Sequence, residues 1–290
     1  MTTVALLFLS YSSICLLLYF RQRQIIYRPS LELSLRPDAP DFGMTYEDVL
    51  IPVDEERLWA WWIPADETQQ YRVLEEEPAF VLKDSKVMLY FCGVGNNMGD
   101  YNYLSRVAAF RQLGFSVLTF DYRGYGRSEG SFPSEQQLYA DSEAVWRYLR
   151  NERGVLAKDI VLYGESMGGA IALNLAVNHP EAGALIMQSS FTSMTDAIQH
   201  RTFARLFPID RMLTETFDSV GKIHELQIPA LFIHGSEDSV VPEEMSQVLY
   251  ERAAAPKRLW LVPDADHVSI YRADSSYLKA IEAFIEDFDI

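Results

Sequence analysis

The stretch that most constrains this chain is Asp159-Ile160-Val161-Leu162-Tyr163-Gly164-Glu165-Ser166-Met167-Gly168-Gly169-Ala170-Ile171-Ala172. Ile160 to Tyr163 is a short apolar run that reads as a buried strand, and an alanine-rich helical pattern follows it to about Val177. A strand that turns on one residue into a helix needs Gly164 and Gly168, because side chains there would strike the neighbouring strand or helix. Ser166 then sits at the tip of a strained turn, at the start of a helix whose free N–H groups and dipole favour negative charge. Strand, Gly164-x-Ser166-x-Gly168 and helix together form the pattern of a nucleophile elbow.

An elbow of this kind requires a sheet around it, and from Lys86 onward the chain alternates strands with helices, as a parallel sheet covered on both faces does. Strands are expected at Val87 to Phe91, Phe115 to Phe120, Ile160 to Tyr163, Ala184 to Gln188, Pro229 to His234 and Arg258 to Val262. Helices are expected at Tyr101 to Leu113, Ser134 to Arg150, Glu243 to Ala253 and Ser269 to Phe288. Tyr46 to Ile51 and Leu58 to Ile63 add an edge hairpin turning at Asp54-Glu55-Glu56, which makes an eight-stranded, mostly parallel sheet. Trp59, Trp61 and Trp62 in that hairpin are expected to pack rather than to hold a ligand. Asp66 to Lys86 reads as a solvated acidic loop, and residues 189–227, with Phe203, Leu206, Phe207, Met212 and Leu213, as a small cap inserted over the site. With 290 residues and 49% hydrophobic content, one large core accommodates all of it, giving a domain over 24–290.

Ser166 needs a base and an acid to act as a nucleophile. Of the five histidines, His179 follows the elbow helix at the far edge, His200 and His224 fall in the cap, and His234 ends its strand and is expected to orient the next loop. His267 stands in a short polar loop, Pro263-Asp264-Ala265-Asp266-His267, just past a sheet strand and at the same edge as the elbow. It is the expected base. Asp238, in His234-Gly235-Ser236-Glu237-Asp238, is the expected acid, with Glu237 its neighbouring alternative; Asp264 and Asp266 lie too close to His267 in sequence to reach its ring. The order Ser166, Asp238, His267 is one of several in which such triads occur. Backbone N–H groups of Met167 and Val94, the latter in the loop Cys92-Gly93-Val94-Gly95-Asn96-Asn97, are the expected oxyanion donors.

Val4 to Phe20 is apolar apart from Ser10, Ser12 and Ser13, close to the minimum length for crossing a bilayer core. It lacks the basic start and the small-residue cleavage site of a signal peptide, the main rival reading, and a buried or interfacial helix is the other. An uncleaved anchor over 1–23 is expected. Arg21, Arg23 and Arg28 on its C-terminal flank put the rest of the chain on the cytoplasmic side of a single-pass membrane protein. The formal net charge of −16 argues against nucleic acid and against adhesion of the globular part to anionic lipid. Cys15 and Cys92, the two cysteines, lie in unrelated contexts, so no disulfide is expected, and no metal or cofactor is expected.

Further stretches carry a family likeness: Phe120-Asp121-Tyr122-Arg123-Gly124-Tyr125-Gly126-Arg127-Ser128-Glu129-Gly130, Ser189-Ser190-Phe191-Thr192-Ser193, Pro229 to Gly235 with Asp238, and Ala265-Asp266-His267. With the elbow, they make residues 24–285 resemble an α/β-hydrolase of the membrane-associated group that includes the Bem46-like proteins and alpha/beta hydrolase domain-containing proteins 13 and 17. The resemblance implies the fold, the triad, and esterase, thioesterase or lipase-like cleavage of a small-molecule acyl substrate. A serine aminopeptidase-like hydrolase and a non-catalytic scaffold are the alternatives. One departure is Cys92-Gly93-Val94, where relatives have His-Gly-Asn. A backbone donor at Val94 survives that change, whereas the polar side chains shaping the loop do not.

Overall fold

The computed structural model describes residues 2–66, 86–254, 256–270 and 276–290. Eight strands form one sheet in the order β1-β2-β4-β3-β5-β6-β7-β8. The hairpin strands β1 (Glu47–Val53) and β2 (Glu56–Ile63) are antiparallel, and β2 also meets β4 antiparallel. From β4 (Ser116–Phe120) through β3 (Val87–Phe91), β5 (Ile160–Glu165), β6 (Ala184–Gln188), β7 (Ala230–Gly235) and β8 (Lys257–Val262), every pairing is parallel. β3, β5, β6 and β7 are buried along their whole length, as central strands covered on both faces must be. Because these strands are parallel, the loops that follow β3, β5, β7 and β8 all emerge at one edge of the sheet.

The long N-terminal helix α1 (Thr2–Tyr27) leads the chain. Around the sheet lie α2 (Tyr101–Gln112), α3 (Glu135–Arg147), the elbow helix α4 (Met167–Asn178), α8 (Glu243–Arg252) and α9 (Ser276–Phe288), with the short α5 (Met194–Gln199), α6 (Ile209–Met212) and α7 (Ser219–Lys222) between β6 and β7. Local chemistry sets several starts. Asp100 accepts from the Asn102 N–H at the start of α2, and Ser134 with Gln137 forms a reciprocal capping box on α3. α3 ends at Arg147 rather than Arg150, and its last turn widens so that the Arg153 N–H reaches the Tyr148 carbonyl. Two apolar clusters fill the faces of the sheet, one including Leu138, Val145 and Ile171, the other including Leu104, Phe110 and Phe284.

One sequence expectation departs from the structure, and two fall on residues it does not describe. α1 does not stop near residue 23: it runs to Tyr27, which is fully buried, so the boundary expected between 23 and 24 falls inside a continuous helix. The reason is side-chain pairing beyond the apolar run, where Arg23 and Tyr27 both bond to the buried carboxylate of Glu215. The acidic loop expected between Asp66 and Lys86, and residues 271–275 at the start of the expected closing helix, lie outside the described residues. The tryptophans pack as expected, with Trp61 buried and both Trp59 and Trp61 donating to Asp48.

Candidate active site

Ser166 has φ 53° and ψ −119°, a strained conformation for a residue with a side chain. The surroundings enforce it. A Cβ on Gly164 would collide with the Gly168 carbonyl, and one on Gly168 with the carbonyls of Phe91 and Cys92. The Ser166 N–H donates to the Gln188 carbonyl at 2.8 Å, and Ser166 offers no side-chain cap to α4, which leaves the helix start free to face a reacting oxygen.

Beneath the turn lies a buried polar cluster that no hydrophobic pattern reveals. Glu165 pairs with the fully buried Arg106, and both bond to the Tyr90 hydroxyl, at 3.0 and 2.8 Å. Beside them, Tyr163 and Tyr277 donate to the Gln188 side chain at 2.6 and 3.0 Å. Removing one partner of such a buried pair costs about 3–5 kcal/mol, because the other charge is left buried and uncompensated.

The loops after β7 and β8 bring Asp238 and His267 together: His267 Nδ1 lies 2.6 Å from Asp238 Oδ2. The two loops are tied to each other by Glu237 N–H to the Ala265 carbonyl at 2.9 Å and Asp264 N–H to Ser236 Oγ at 3.0 Å. Asp266, set aside as the acid from its position, accepts instead from the Val268 and Ser269 N–H groups and shapes the histidine loop. Asp238 Oδ1 accepts from the Val240 and Val241 N–H groups at 2.8 and 2.9 Å. Its Oδ2 also lies 3.2 Å from His234 Nε2.

Electrostatics then assigns the protons. Burial pushes the Asp238 carboxyl up, but hydrogen bonds from His234 and His267, the charge of His267 and the backbone donors outweigh it and hold the group well below the usual carboxylate range. An ionised Oδ2 requires a proton on His267 Nδ1, so that in the neutral imidazole it is Nε2 that keeps the lone pair. His234 is fixed similarly: Nε2 faces two acceptors, Asp238 and the Val241 carbonyl at 2.9 Å, so it carries the proton, and Nδ1 accepts from Ser246 Oγ at 2.6 Å. His234 does hold the following loop, through the Val241 carbonyl, and it also touches Asp238 directly.

Among the described residues no hydrogen bond joins Ser166 Oγ to His267, whose contact is with Asp238. Ser166, Met167 and Val94 line one cavity. The loop after β3 runs close over the elbow, and a Cβ on Gly93 would lie 3.5 Å from that of Ser166. Tyr122 braces this loop by donating to the Cys92 carbonyl at 2.9 Å, and Asp121 by accepting from the Met98 N–H at 2.8 Å, so the Asp121 to Gly126 motif supports the loop after β3. Cys92 is buried against Thr119, and burial pushes its thiol far up, which makes it inert as a nucleophile.

The arrangement has relatives. The family model for "Serine aminopeptidase, S33" matches residues 83–218. Protein bem46 of Schizosaccharomyces pombe is 30% identical over 284 residues, covering 94% of this chain and 88% of that protein. Human alpha/beta hydrolase domain-containing protein 17B is 32% identical over 177 residues, 60% of this chain and 57% of that protein. Among solved structures, the Pyrococcus furiosus esterase Pf2001 superposes with a TM-score of 0.69 at 22% identity, covering 89% of this chain and 98% of that one. With its eight-stranded sheet and near-full-length likeness to bem46, the chain belongs to the α/β-hydrolase family, in the Bem46-like group.

Proposed function

We propose that the chain is a serine hydrolase that cleaves an ester or thioester of an apolar acyl group, with Ser166 as nucleophile, His267 as base and Asp238 as its acid partner. The observation that carries this reading is the 2.6 Å contact from His267 Nδ1 to Asp238 Oδ2, at the sheet edge from which the strained Ser166 also projects. His267 Nε2 takes the Ser166 proton as Oγ bonds to the acyl carbon. The N–H groups of Met167 and Val94 stabilise the tetrahedral oxyanion. On collapse the alcohol or thiol departs with the proton from His267, and water, activated by the same imidazole, releases the acid and regenerates Ser166.

The family model's description raises an aminopeptidase as the alternative. Holding a substrate amine calls for a carboxylate, yet the described lining of the cavity carries no Asp or Glu and does carry Arg28 and Arg201. That favours the acyl reading. Within Thr3–Tyr27, α1 contains an 18-residue stretch of mean hydropathy 2.0, and the helix is long and apolar enough to cross a membrane. In our reading it does so, with Arg21, Arg23, Arg28 and the hydrolase domain on the cytoplasmic side.

A fluorophosphonate probe is expected to label the wild-type chain and not Ser166→Ala. Hydrolysis of p-nitrophenyl butyrate is expected to fall about a thousandfold or more in His267→Ala. A folded wild-type sample that neither labels nor hydrolyses any ester would establish the scaffold reading instead.

A further inference from the structure

The cavity at Ser166 is not closed by the hydrolase domain alone. It measures about 580 Å³, within the usual range for ligand sites. One wall comes from the elbow and the segment between β6 and β7, with Met167, Phe191 and Met194 among its residues; the opposite wall is α1, through Ile14, Leu18, Tyr19, Gln22 and Ile25. Between Thr3 and Ile26, only Cys15, Leu18, Gln22 and Ile26 are partly shielded. Their spacing of three and four residues is one helical stripe, turned toward the domain. The other faces, with Leu7, Leu16, Leu17 and Phe20 all at least 59% exposed, are free to meet lipid.

The cavity also has a direction. At its Ser166 end, the Val94–Asn97 loop is tied to the chain just past α1, where Asn97 Nδ2 donates to the carbonyls of Ser30 and Glu32. At its other end, Tyr11 donates to the Leu206 carbonyl at 3.0 Å and stacks on Phe207 at 5.9 Å. Tyr11 lies about 15 Å along the helix from Arg21, about half the depth of a hydrocarbon core. Phe203 and Leu206 at this end are apolar side chains 64% and 71% exposed among the described residues. Arg201, Arg205 and Arg211 are interleaved with them, and Asp210 is the sole acid from 199 to 214, a locally basic tip on a chain of net charge −16.

We propose that the cavity opens sideways into the membrane leaflet, between α1 and the segment carrying Phe203 to Phe207. Its occupant is the long acyl chain of a bilayer glycerolipid ester, so that α1 forms half of the substrate site and is more than a tether. This rests on the serine-hydrolase reading above. The polarity of the cavity matches that of such a lipid: the ester end at Ser166 sits at the depth of Arg28, and the tail runs along α1 toward the bilayer centre. The products are a free fatty acid and the glycerol alcohol, which takes the proton from His267.

The test uses the full-length chain in phosphatidylcholine nanodiscs, with monopalmitoylglycerol and monobutyrylglycerol as substrates. Wild type is expected to favour the palmitoyl ester. Leu18→Trp, which fills the α1 wall, is expected to lower the palmitoyl-over-butyryl ratio of kcat/KM by about tenfold or more, whereas Leu17→Trp on the lipid-facing side leaves the ratio intact. An unchanged ratio in Leu18→Trp, an equal fall in both variants, or cleavage of an S-palmitoyl peptide in preference to the glyceride would overturn the proposal. Fluorophosphonate labelling separates the two levels: a wild type that does not label defeats the hydrolase reading itself, while labelled variants with an intact ratio defeat only this one. If Leu18→Trp does not label, Ile14→Trp, farther from Ser166, takes its place with the same expected fall.

Discussion

Two buried aspartates close to the site are driven in opposite directions. Asp238 has four donors and is held ionised, the form that fixes the His267 tautomer. Asp121 is buried with only the Met98 and Arg127 backbone donors to oppose desolvation, and burial pushes its carboxyl up to about 7. In an unfolded chain the group titrates near about 4. Below that pH it is protonated in both states. As pH rises from there toward 7, the unfolded chain ionises before the folded one, so the stability held at low pH is progressively lost. Asp121→Asn, neutral throughout and still able to accept from Met98 through its amide oxygen, is expected to gain stability relative to wild type between about pH 5 and pH 8. Melting temperatures of both proteins measured across that range test this; parallel curves would refute it.

At the scale of elements, the elbow was legible because its causes are local. Two glycines, one serine, an apolar strand and an alanine-rich helix lie within one continuous stretch. The loops bearing Asp238 and His267 were legible for a related reason, since each follows a strand with a clear apolar run and the parallel order puts both at the elbow's edge. What supports the elbow was not legible. Arg106 and Glu165 are 59 positions apart, and a buried ion pair leaves no trace in hydrophobic periodicity. The junction of α1 was hidden similarly, because Glu215 lies 192 and 188 positions from Arg23 and Tyr27. Burial raises the Glu215 carboxyl, but bonds from Tyr27, the Glu135 N–H and Arg23 prevail and hold it below its usual range. Glu215→Ala would leave the Tyr27 hydroxyl and the Glu135 N–H without their acceptor. Because Arg23 is half exposed, the expected loss is moderate, about 1–3 kcal/mol, seen as a lower melting temperature of the full-length chain in detergent. No change in melting temperature would mean that the junction is held by packing alone.

At the scale of the whole molecule, composition pointed away from membrane surfaces, and net charge alone would keep so acidic a chain off anionic lipid. The charge is not evenly spread, and the segment from 199 to 214 is basic where it lies beside α1. A sum over the sequence cannot display that arrangement, because it arises only when residues near 11 and near 206 are folded against each other. α1 itself runs without a break from its apolar stretch into Tyr27, whose carbonyl accepts from Tyr125 in the core. No slack separates the apolar stretch from the domain, so a membrane-spanning α1 would work as a dipstick. In the membrane-spanning reading proposed above, any tilt or sinking that brings its apolar length into match with the surrounding hydrocarbon carries Ser166 with it. Turnover of a bilayer-borne ester is therefore expected to depend on membrane thickness, with an optimum across vesicles of graded acyl length, while a water-soluble short ester is cleaved at a rate independent of the lipid chosen.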